Sequence, residues 1–210
     1  MTTKADRRAE LERREHLNEI RREAAARERR QRHARVAAWL VGLAVVAAVV
    51  VTMGLTSRPE SSSATRTAPD FTLTDTAGKQ VHLASLRGQN VLLYFSEGAG
   101  CQSCLVQMAE IEKDGRFAKA GLNVLPIVMN TRAQIMKDMA ANGVSTPFLL
   151  DDGTVSRAYG TLGKGMHAGL PGHSFVLIDK SGMQRWYGEY PSMWLSPTDL
   201  ITQIDKHLRS

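Results

Sequence analysis

Cysteine is scarce in this chain, whose 210 residues include only Cys101 and Cys104. A closed four-cysteine zinc site within one chain is therefore excluded, because such a site needs four sulfur ligands. Charge is missing from one long stretch, since residues 36–55 contain no Asp, Glu, Lys or Arg. Internal repeats are not visible either, so the sequence favours one compact core after that stretch.

Excess positive charge is almost absent after Arg35. Residues 1–35 contain 12 Lys or Arg and 7 Asp or Glu, so they carry five of the six net positive charges of the chain. The calculated pI of about 9.6 therefore reflects a basic tail and not a basic globular surface. We accordingly expect no nucleic acid among the partners of this chain.

The uncharged residues 36–55 read VAAWLVGLAVVAAVVVTMGL. A helix of this length spans roughly 30 Å, which is about the thickness of the hydrocarbon core of a bilayer. A cleaved signal peptide is the alternative, but the run exceeds the usual apolar region of about 7–15 residues and no small-residue cleavage site directly follows. The arginines before the run predict a single-pass signal anchor in the cell membrane, with a cytoplasmic N-terminus and an extracytoplasmic remainder.

The segments on either side of the anchor lack apolar periodicity. Residues 1–35 interleave Arg with Glu and predict a solvated, polyampholytic cytoplasmic tail, with a partner-binding or lipid-surface helix as the alternative. Residues 56–68 are rich in Ser and Thr and predict a linker. Residues 69–210 are then the folded domain.

The folded domain alternates strand and helix patterns, with a hairpin near each end. This order predicts an α/β fold with helices around a central mixed sheet. Strands are expected at 71–75, 81–83, 91–95, 123–129, 148–150, 175–179 and 184–187, and helices at 84–88, 101–113, 132–141, 155–159 and 197–208.

The two cysteines form a C-x-x-C motif, Cys101-Gln102-Ser103-Cys104, between an apolar strand and a helix. A thiol at a helix N-terminus is more readily ionised, because the positive end of the helix dipole favours its thiolate. A disulfide across two residues closes so short a loop that it adds little stability on the loop-entropy account. The placement therefore favours redox or metal chemistry over a structural disulfide.

Two further stretches, APDFTLTDTAGKQVHLASLRGQNVLLYF before the motif and HSFVLIDKSG after it, are distinctive. With them, residues 69–208 resemble the redoxin branch of the thioredoxin superfamily, which includes peroxiredoxins of the alkyl-hydroperoxide-reductase/thiol-specific-antioxidant type and membrane-tethered thioredoxins. The resemblance implies a thioredoxin-like fold with an N-terminal hairpin extension, and electron transfer by thiols.

The resemblance leaves three functions open. A thiol–disulfide oxidoreductase would use Cys101 as nucleophile and Cys104 as resolving thiol, with protein thiols or disulfides as substrates and a membrane electron donor as partner. A peroxiredoxin-like antioxidant enzyme would use Cys104 against peroxide, although its P-x-x-x-T/S-x-x-C motif is altered here at Glu97 and Cys101. The first two functions need no cofactor beyond a redox-active Cys101–Cys104 disulfide.

The third function is that of a Sco-like copper-binding assembly factor, which would hold the metal with Cys101, Cys104 and His173. That family spaces its cysteines C-x-x-x-C, so one intervening residue is missing here. Otherwise we expect His173 to orient a substrate or simply to end a strand.

Four more features bear on the site. Glu97 is a candidate proton shuttle or, as we favour, a solvated turn carboxylate. Pro171 is a candidate for the cis-proline of thioredoxin-like enzymes or an ordinary turn proline. Met166 and His167 are expected to be loop residues only. An aromatic cluster near the C-terminus is expected to pack in the core or as a flap, and it consists of Trp186, Tyr187, Tyr190 and Trp194.

Overall fold

The computed structural model of the chain describes residues 4–56, 58–165 and 167–209. It divides into two compact units, with the boundary between residues 55 and 56 of the chain. The first unit is essentially one helix, α1 (Lys4–Thr56), which covers both the basic tail and the uncharged run. Its segment Arg29–Gly54 has a mean hydropathy of 2.5 and is long and apolar enough to cross a membrane. The structure is thus consistent with the predicted single-pass anchor.

The second unit contains a nine-stranded mixed sheet, counted over the described residues. Its strand order is β1-β9-β8-β5-β6-β7-β3-β4, and β2 also pairs with β9. Strands β5, β6 and β7 are parallel, whereas the other pairings are antiparallel. The strands are β1 Glu60–Ser62, β2 Arg66–Thr67, β3 Thr72–Asp75, β4 Gln80–His82, β5 Asn90–Phe95, β6 Leu122–Val128, β7 Leu149–Leu150, β8 Ser174–Ile178 and β9 Met183–Glu189.

Strand β5 divides the core into two layers, because successive side chains point to opposite faces of a strand. Leu92 and Tyr94 face the layer that contains the cysteines and the helices α2 (Gln102–Lys113), α4 (Arg132–Asn142) and α6 (Pro197–Leu208). Val91, Leu93 and Phe95 face the opposite layer, which the N-terminal hairpin and α5 (Thr154–Ala158) cover. This alternation places Tyr94 on the same side of the sheet as the C-x-x-C motif.

The helices of the second unit begin with local capping interactions where the sequence supplies them. Helix α4 starts with a capping box formed by Thr131 and Gln134. Helix α6 starts with Ser196 as its N-cap and Pro197 in its first turn. The helices are α2 Gln102–Lys113, α3 Gly115–Lys119, α4 Arg132–Asn142, α5 Thr154–Ala158 and α6 Pro197–Leu208, with a 3-10 turn at Leu83–Leu86.

The predicted α/β architecture is confirmed, and the expected strands and helices occur within about two residues of their predicted positions. Both expected hairpins are present, as β3–β4 and β8–β9. The short helix α3 was not predicted. It begins with a glycine, which is a weak helix former, and its one buried residue, Phe117, sets up no apolar period.

The segment expected to be a linker, residues 56–68, is not free of secondary structure. Its strands β1 and β2 both pair antiparallel with β9. The Nε1–H of Trp186 donates to the Ser61 hydroxyl over 2.9 Å. Lys164 forms ion pairs of 3.3 Å with both Glu60 and Glu189. The polar residues of this segment are thus held by main-chain pairing with a strand far along the chain. Local sequence patterns cannot predict such a pairing.

Candidate redox site

The two cysteines form a disulfide at the N-terminus of helix α2. Cys101 is the N-cap residue and has extended backbone angles, while Cys104 lies in the first helical turn, with 5.3 Å between the two Cα atoms. Cys101 is 9% exposed and Cys104 is 1% exposed. Cys101 is therefore the more exposed of the two cysteines.

The turn before the disulfide is held by one side chain from the loop after β6 and one from α4. The backbone N–H of Ala99 donates to Asn130 Oδ1 over 2.8 Å. The backbone N–H of Gly100 donates to Asp138 Oδ2 over 2.8 Å. Gly98 has a φ of +74°, a conformation that glycine adopts at little cost. These contacts fix the backbone of residues 98–100, directly before Cys101.

Behind the disulfide lies a buried group formed by Tyr94 and His173. His173 Nδ1 is 3.9 Å from the Cys104 sulfur and 3.3 Å from the Tyr94 hydroxyl. That hydroxyl also donates to the Cys104 carbonyl oxygen over 3.1 Å. The Phe175 ring stacks on Tyr94 with centroids 4.9 Å apart. The structure thus brings His173, a residue singled out in the sequence, against the inner cysteine.

His173 is 1% exposed, and its burial lowers the pKa of the imidazole to about 3. Removal from water disfavours the charged form of a histidine, so the ring is neutral at physiological pH. Burial likewise raises the pKa of Tyr94 above its ordinary value, so its hydroxyl keeps its proton. The buried group therefore contains two neutral hydrogen-bonding side chains.

Glu97 is buried, which corrects the expectation of a solvated turn carboxylate. Its side chain is 3% exposed and its Oε2 lies 2.8 Å from Nδ1 of His167. The backbone N–H of His167 donates to Oε1 over 3.0 Å. The expectation that His167 is only a loop residue is therefore also wrong, because His167 compensates the burial of this carboxylate. Met166, which was expected to be a loop residue, lies outside the described residues.

Pro171 does not occupy a cis-proline site. Over residues 4–56, 58–165 and 167–209 the peptide bonds are all trans. Pro171 instead forms an isolated β-bridge with Leu162, and the following Gly172 N–H donates to the Thr161 carbonyl over 2.8 Å. The proline thus closes a loop between α5 and β8, as expected of an ordinary turn residue.

The C-terminal aromatic residues are divided between the core and the surface. Trp186 is fully buried and stacks on His207 with centroids 6.0 Å apart. Tyr190 is buried against Phe175. Trp194 is 39% exposed. Core packing therefore describes most of this cluster.

A metal site is not evident among the residues that the structure describes, because they contain no group of three or more His, Cys, Asp or Glu side chains placed to hold an ion. The alternative copper set named from the sequence, Cys101, Cys104 and His173, does not form such a group. In the structure the two sulfurs are bonded to each other.

Three residues of the site were missed in the sequence. Tyr94 was counted only as a member of an apolar strand, and its hydroxyl gave no separate signal. Asn130 and Asp138 lie about 30 to 40 residues beyond the turn that they hold. Their position directly after a strand and within the next helix, at the carboxyl end of a parallel sheet, is the signal that could have found them.

Comparison with known protein families agrees with this geometry. The sequence profile of the AhpC/TSA family matches residues 64–186. A protein named putative peroxiredoxin from Mycobacterium tuberculosis is 36% identical over 99 residues, which cover 46% of this chain and 63% of that protein. The thiol-disulfide oxidoreductase ResA of Bacillus subtilis is 32% identical over 103 residues, covering 48% and 57%. The alignments thus span less than two thirds of these relatives.

Solved structures with the same fold include a protein named as a putative disulfide isomerase and others named as peroxiredoxins. A putative protein disulfide isomerase from Bacteroides thetaiotaomicron has a TM-score of 0.56 and 30% identity, covering 69% of this chain and 89% of that one. A reduced 2-Cys peroxiredoxin of Plasmodium vivax has a TM-score of 0.61 and 20% identity, covering 70% and 98%. The predicted thioredoxin-like fold is therefore confirmed.

Proposed function

This chain belongs to the AhpC/TSA family, and on that premise we propose that it is a membrane-anchored, extracytoplasmic thiol–disulfide oxidoreductase of the redoxin type. The observation that carries the proposal is the disulfide between its only two cysteines, with the more exposed Cys101 at the tip of helix α2. A buried second sulfur is what a resolving thiol requires, since it reacts only after the first has engaged a partner.

The proposed reaction exchanges two electrons with a protein partner. A partner thiolate attacks Cys101, the Cys101–Cys104 bond breaks, and its electron pair goes to Cys104 as a thiolate. A second thiolate of the partner then attacks the partner sulfur of the mixed disulfide and releases Cys101. The partner leaves as a disulfide and this chain as a dithiol. In the opposite direction the Cys104 thiolate resolves the mixed disulfide.

Single replacements of the cysteines test the proposal. Cys104→Ser should trap partner proteins as mixed disulfides through Cys101, because no resolving thiol is left. Cys101→Ser should trap none, since its remaining sulfur is buried. Equal trapping by both variants, or trapping by neither while the wild-type chain fails to exchange with a dithiol, contradicts the proposed function.

Peroxide reduction is a second candidate, favoured by the relatives that carry the name peroxiredoxin. The Cys104 thiolate would then attack one oxygen of a peroxide, breaking the O–O bond, so that Cys104 becomes a sulfenate and an alcohol or water leaves. The sulfenate condenses with the Cys101 thiol to form the disulfide and releases a water molecule. The same Cys101→Ser variant separates the two candidates. Rapid formation of a stable sulfenate on Cys104 under peroxide favours the peroxidase, and its absence favours disulfide exchange.

The proposed partners follow from the proposed topology. Helix α1 would cross the cell membrane with its arginine-rich end in the cytoplasm, so electrons for a reducing role would have to come from a donor in the membrane. A C-terminal alkaline phosphatase fusion should be active, because this reporter folds only in an oxidising compartment. An active cytoplasmic reporter at the same position contradicts the proposed orientation.

The direction of electron flow would follow from the reduction potential of the Cys101–Cys104 pair. A value of about −270 mV would indicate a reductant and one of about −120 mV an oxidant, by comparison with known pairs. Equilibration with glutathione redox mixtures measures this potential directly.

A further inference from the structure

Behind the disulfide, Tyr94 and His173 form a polar group that takes no part in the proposed cysteine exchange steps. Both side chains are almost completely buried, at 0% and 1% exposure, in a layer that is mainly apolar. Burying a histidine inside an apolar layer costs free energy unless its polar atoms have partners. Packing alone therefore does not explain why two polar side chains are buried at this place.

The hydrogen-bond pattern indicates which ring nitrogen of His173 carries the proton. The Tyr94 hydroxyl donates to the Cys104 carbonyl, so an oxygen lone pair faces Nδ1 of His173. Nε2 has no hydrogen-bond partner among the described atoms. An unpaired buried N–H is rarer than an unpaired acceptor. The neutral ring is thus best arranged with hydrogen on Nδ1, which faces Tyr94 and the Cys104 sulfur.

We infer that the Nδ1–H of His173 stabilises the thiolate formed on Cys104 when the disulfide opens, with Tyr94 holding the ring in place. This inference rests on the proposed thiol–disulfide exchange and assigns a role to one more residue of the same site. When a partner thiolate bonds to Cys101, the electron pair of the broken S–S bond goes to the Cys104 sulfur. The Nδ1–H donates to that sulfur without leaving the ring.

The 3.9 Å between Nδ1 and the Cys104 sulfur is within reach of a hydrogen bond to sulfur even in the oxidised form. A thiolate is a much stronger acceptor than a disulfide sulfur, and bonds to ionised acceptors are roughly twice as strong as neutral ones. The interaction is therefore stronger in the open form than in the closed form. A thiolate with a lower pKa is also a better leaving group.

Other titratable groups near the site are engaged elsewhere. Cys101, on the same helix, is the disulfide partner of Cys104. Tyr190, which follows β9, packs its ring on Phe175, while its backbone N–H donates to the His173 carbonyl. The Glu97 carboxylate is bound by His167. Tyr94 and His173 are thus the side chains placed to act on the Cys104 sulfur.

The decisive measurement is the pKa of Cys104 in full-length chain carrying Cys101→Ser, in detergent, from the ultraviolet absorbance of the thiolate. A variant with both cysteines replaced by serine supplies the baseline for tyrosine ionisation. Adding His173→Leu should raise the Cys104 pKa by about one unit, a tenfold loss of thiolate at a given pH below that pKa. Adding Tyr94→Phe should shift the pKa in the same direction by less.

His173→Asn is the matched control, because Asn and Leu have the same branched shape and Asn offers an amide N–H near the place of Nδ1. It should keep the Cys104 pKa within a few tenths of a unit of the histidine protein. Equal shifts with Asn and Leu would overturn the inference, as would no shift with Leu. Thermal unfolding of each variant identifies any that fail to fold. If the His173 variants do not fold, the rate at which dithiothreitol opens the disulfide is compared between Tyr94→Phe and the wild-type chain. A severalfold decrease in Tyr94→Phe is expected, and an unchanged rate contradicts the inference.

The pKa measurement needs no turnover, so it separates this inference from the proposed function. A shifted Cys104 pKa in a chain that traps no partner through Cys104→Ser would leave the role of His173 intact and refute the oxidoreductase. Normal trapping by Cys104→Ser, with no shift of the Cys104 pKa in His173→Leu, would support the oxidoreductase and refute the role of His173.

Discussion

At the residue scale, the buried imidazole of His173 makes the stability of the fold depend on pH. Its pKa is lowered to about 3 by burial in the folded chain, whereas an unfolded histidine titrates near 6.5. Above pH 6.5 both states are neutral, and the fold has its full stability. As pH falls from about 6.5 to about 3, the unfolded state binds a proton that the folded state does not, so stability decreases.

Replacing His173 with Asn should therefore flatten the acid side of the stability profile. The wild-type chain should lose up to about 1.4 kcal/mol per pH unit relative to the variant, from about pH 6.5 downward, because one proton is linked to unfolding. Urea unfolding at pH about 7, about 5.5 and about 4.5 measures the difference. A constant gap between the two proteins across this range would show that His173 is not neutral in the fold.

Gly98 is expected to be the most sensitive glycine of the redox turn. Its φ is +74°, and an added Cβ would contact the Asn130 amide oxygen and lie 2.7 Å from Val128 Cγ1. Gly98→Ala should cost about 3 kcal/mol of unfolding free energy, part from the backbone and part from overpacking. Gly88→Ala is the control, since φ is +89° there with open space around it, and should cost about 1–2 kcal/mol. Equal losses in urea unfolding would contradict this account.

At the residue scale, the cysteine pair could be predicted because the motif and its place after a strand lie within a few adjacent residues. The burial of Glu97 could not, because charged residues are mostly exposed and its partner His167 is 70 positions away. The role of Tyr94 was also hidden, since its ring fits an apolar strand and only the fold shows where its hydroxyl points. Sequence patterns thus located the reactive atoms but not the groups that act on them.

Among the elements, strand β1 lies shortly after the apolar helix in the sequence and pairs with β9, the last strand along the chain. It pairs with β9 from Glu60 to Ser62, and Ser61 accepts the indole N–H of the fully buried Trp186. The middle of the sheet was predictable from apolar runs such as Val91 to Phe95. Strand β1 was not, because its residues are polar and exposed and its partner strand is more than 120 residues away.

Ser61→Ala should lower the free energy of unfolding by about 1 kcal/mol, because the Trp186 N–H loses its acceptor. The tryptophan emission spectrum should change with it. Ser63→Ala is the matched control, since Ser63 is exposed and lies outside both short strands, and it should leave stability and emission unchanged. Equal behaviour of the two variants would show that the bond contributes nothing measurable.

At the scale of the whole molecule, the chain combines an apolar helix with a thiol-based domain. If α1 is an anchor, the full chain should sediment with membranes, resist extraction by alkaline carbonate, and be released by detergent. Residues 58–210, which lack the apolar segment, should be recovered in the soluble fraction with the disulfide intact. Release of the full chain by carbonate alone would contradict the anchor, and its mature N-terminal sequence would show whether α1 had been removed.

The pairing of β1 with β9 also decides where the domain can be cut. Family similarity begins at residue 64, so that position is the obvious place to start a soluble version. Such a cut would remove the strand that pairs with Tyr187, Gly188 and Glu189. The main-chain N–H and C=O groups of β9 would then lie along an open sheet edge, which is a template for pairing with another copy. The few residues after the apolar helix therefore belong to the folded domain, although the family similarity does not include them.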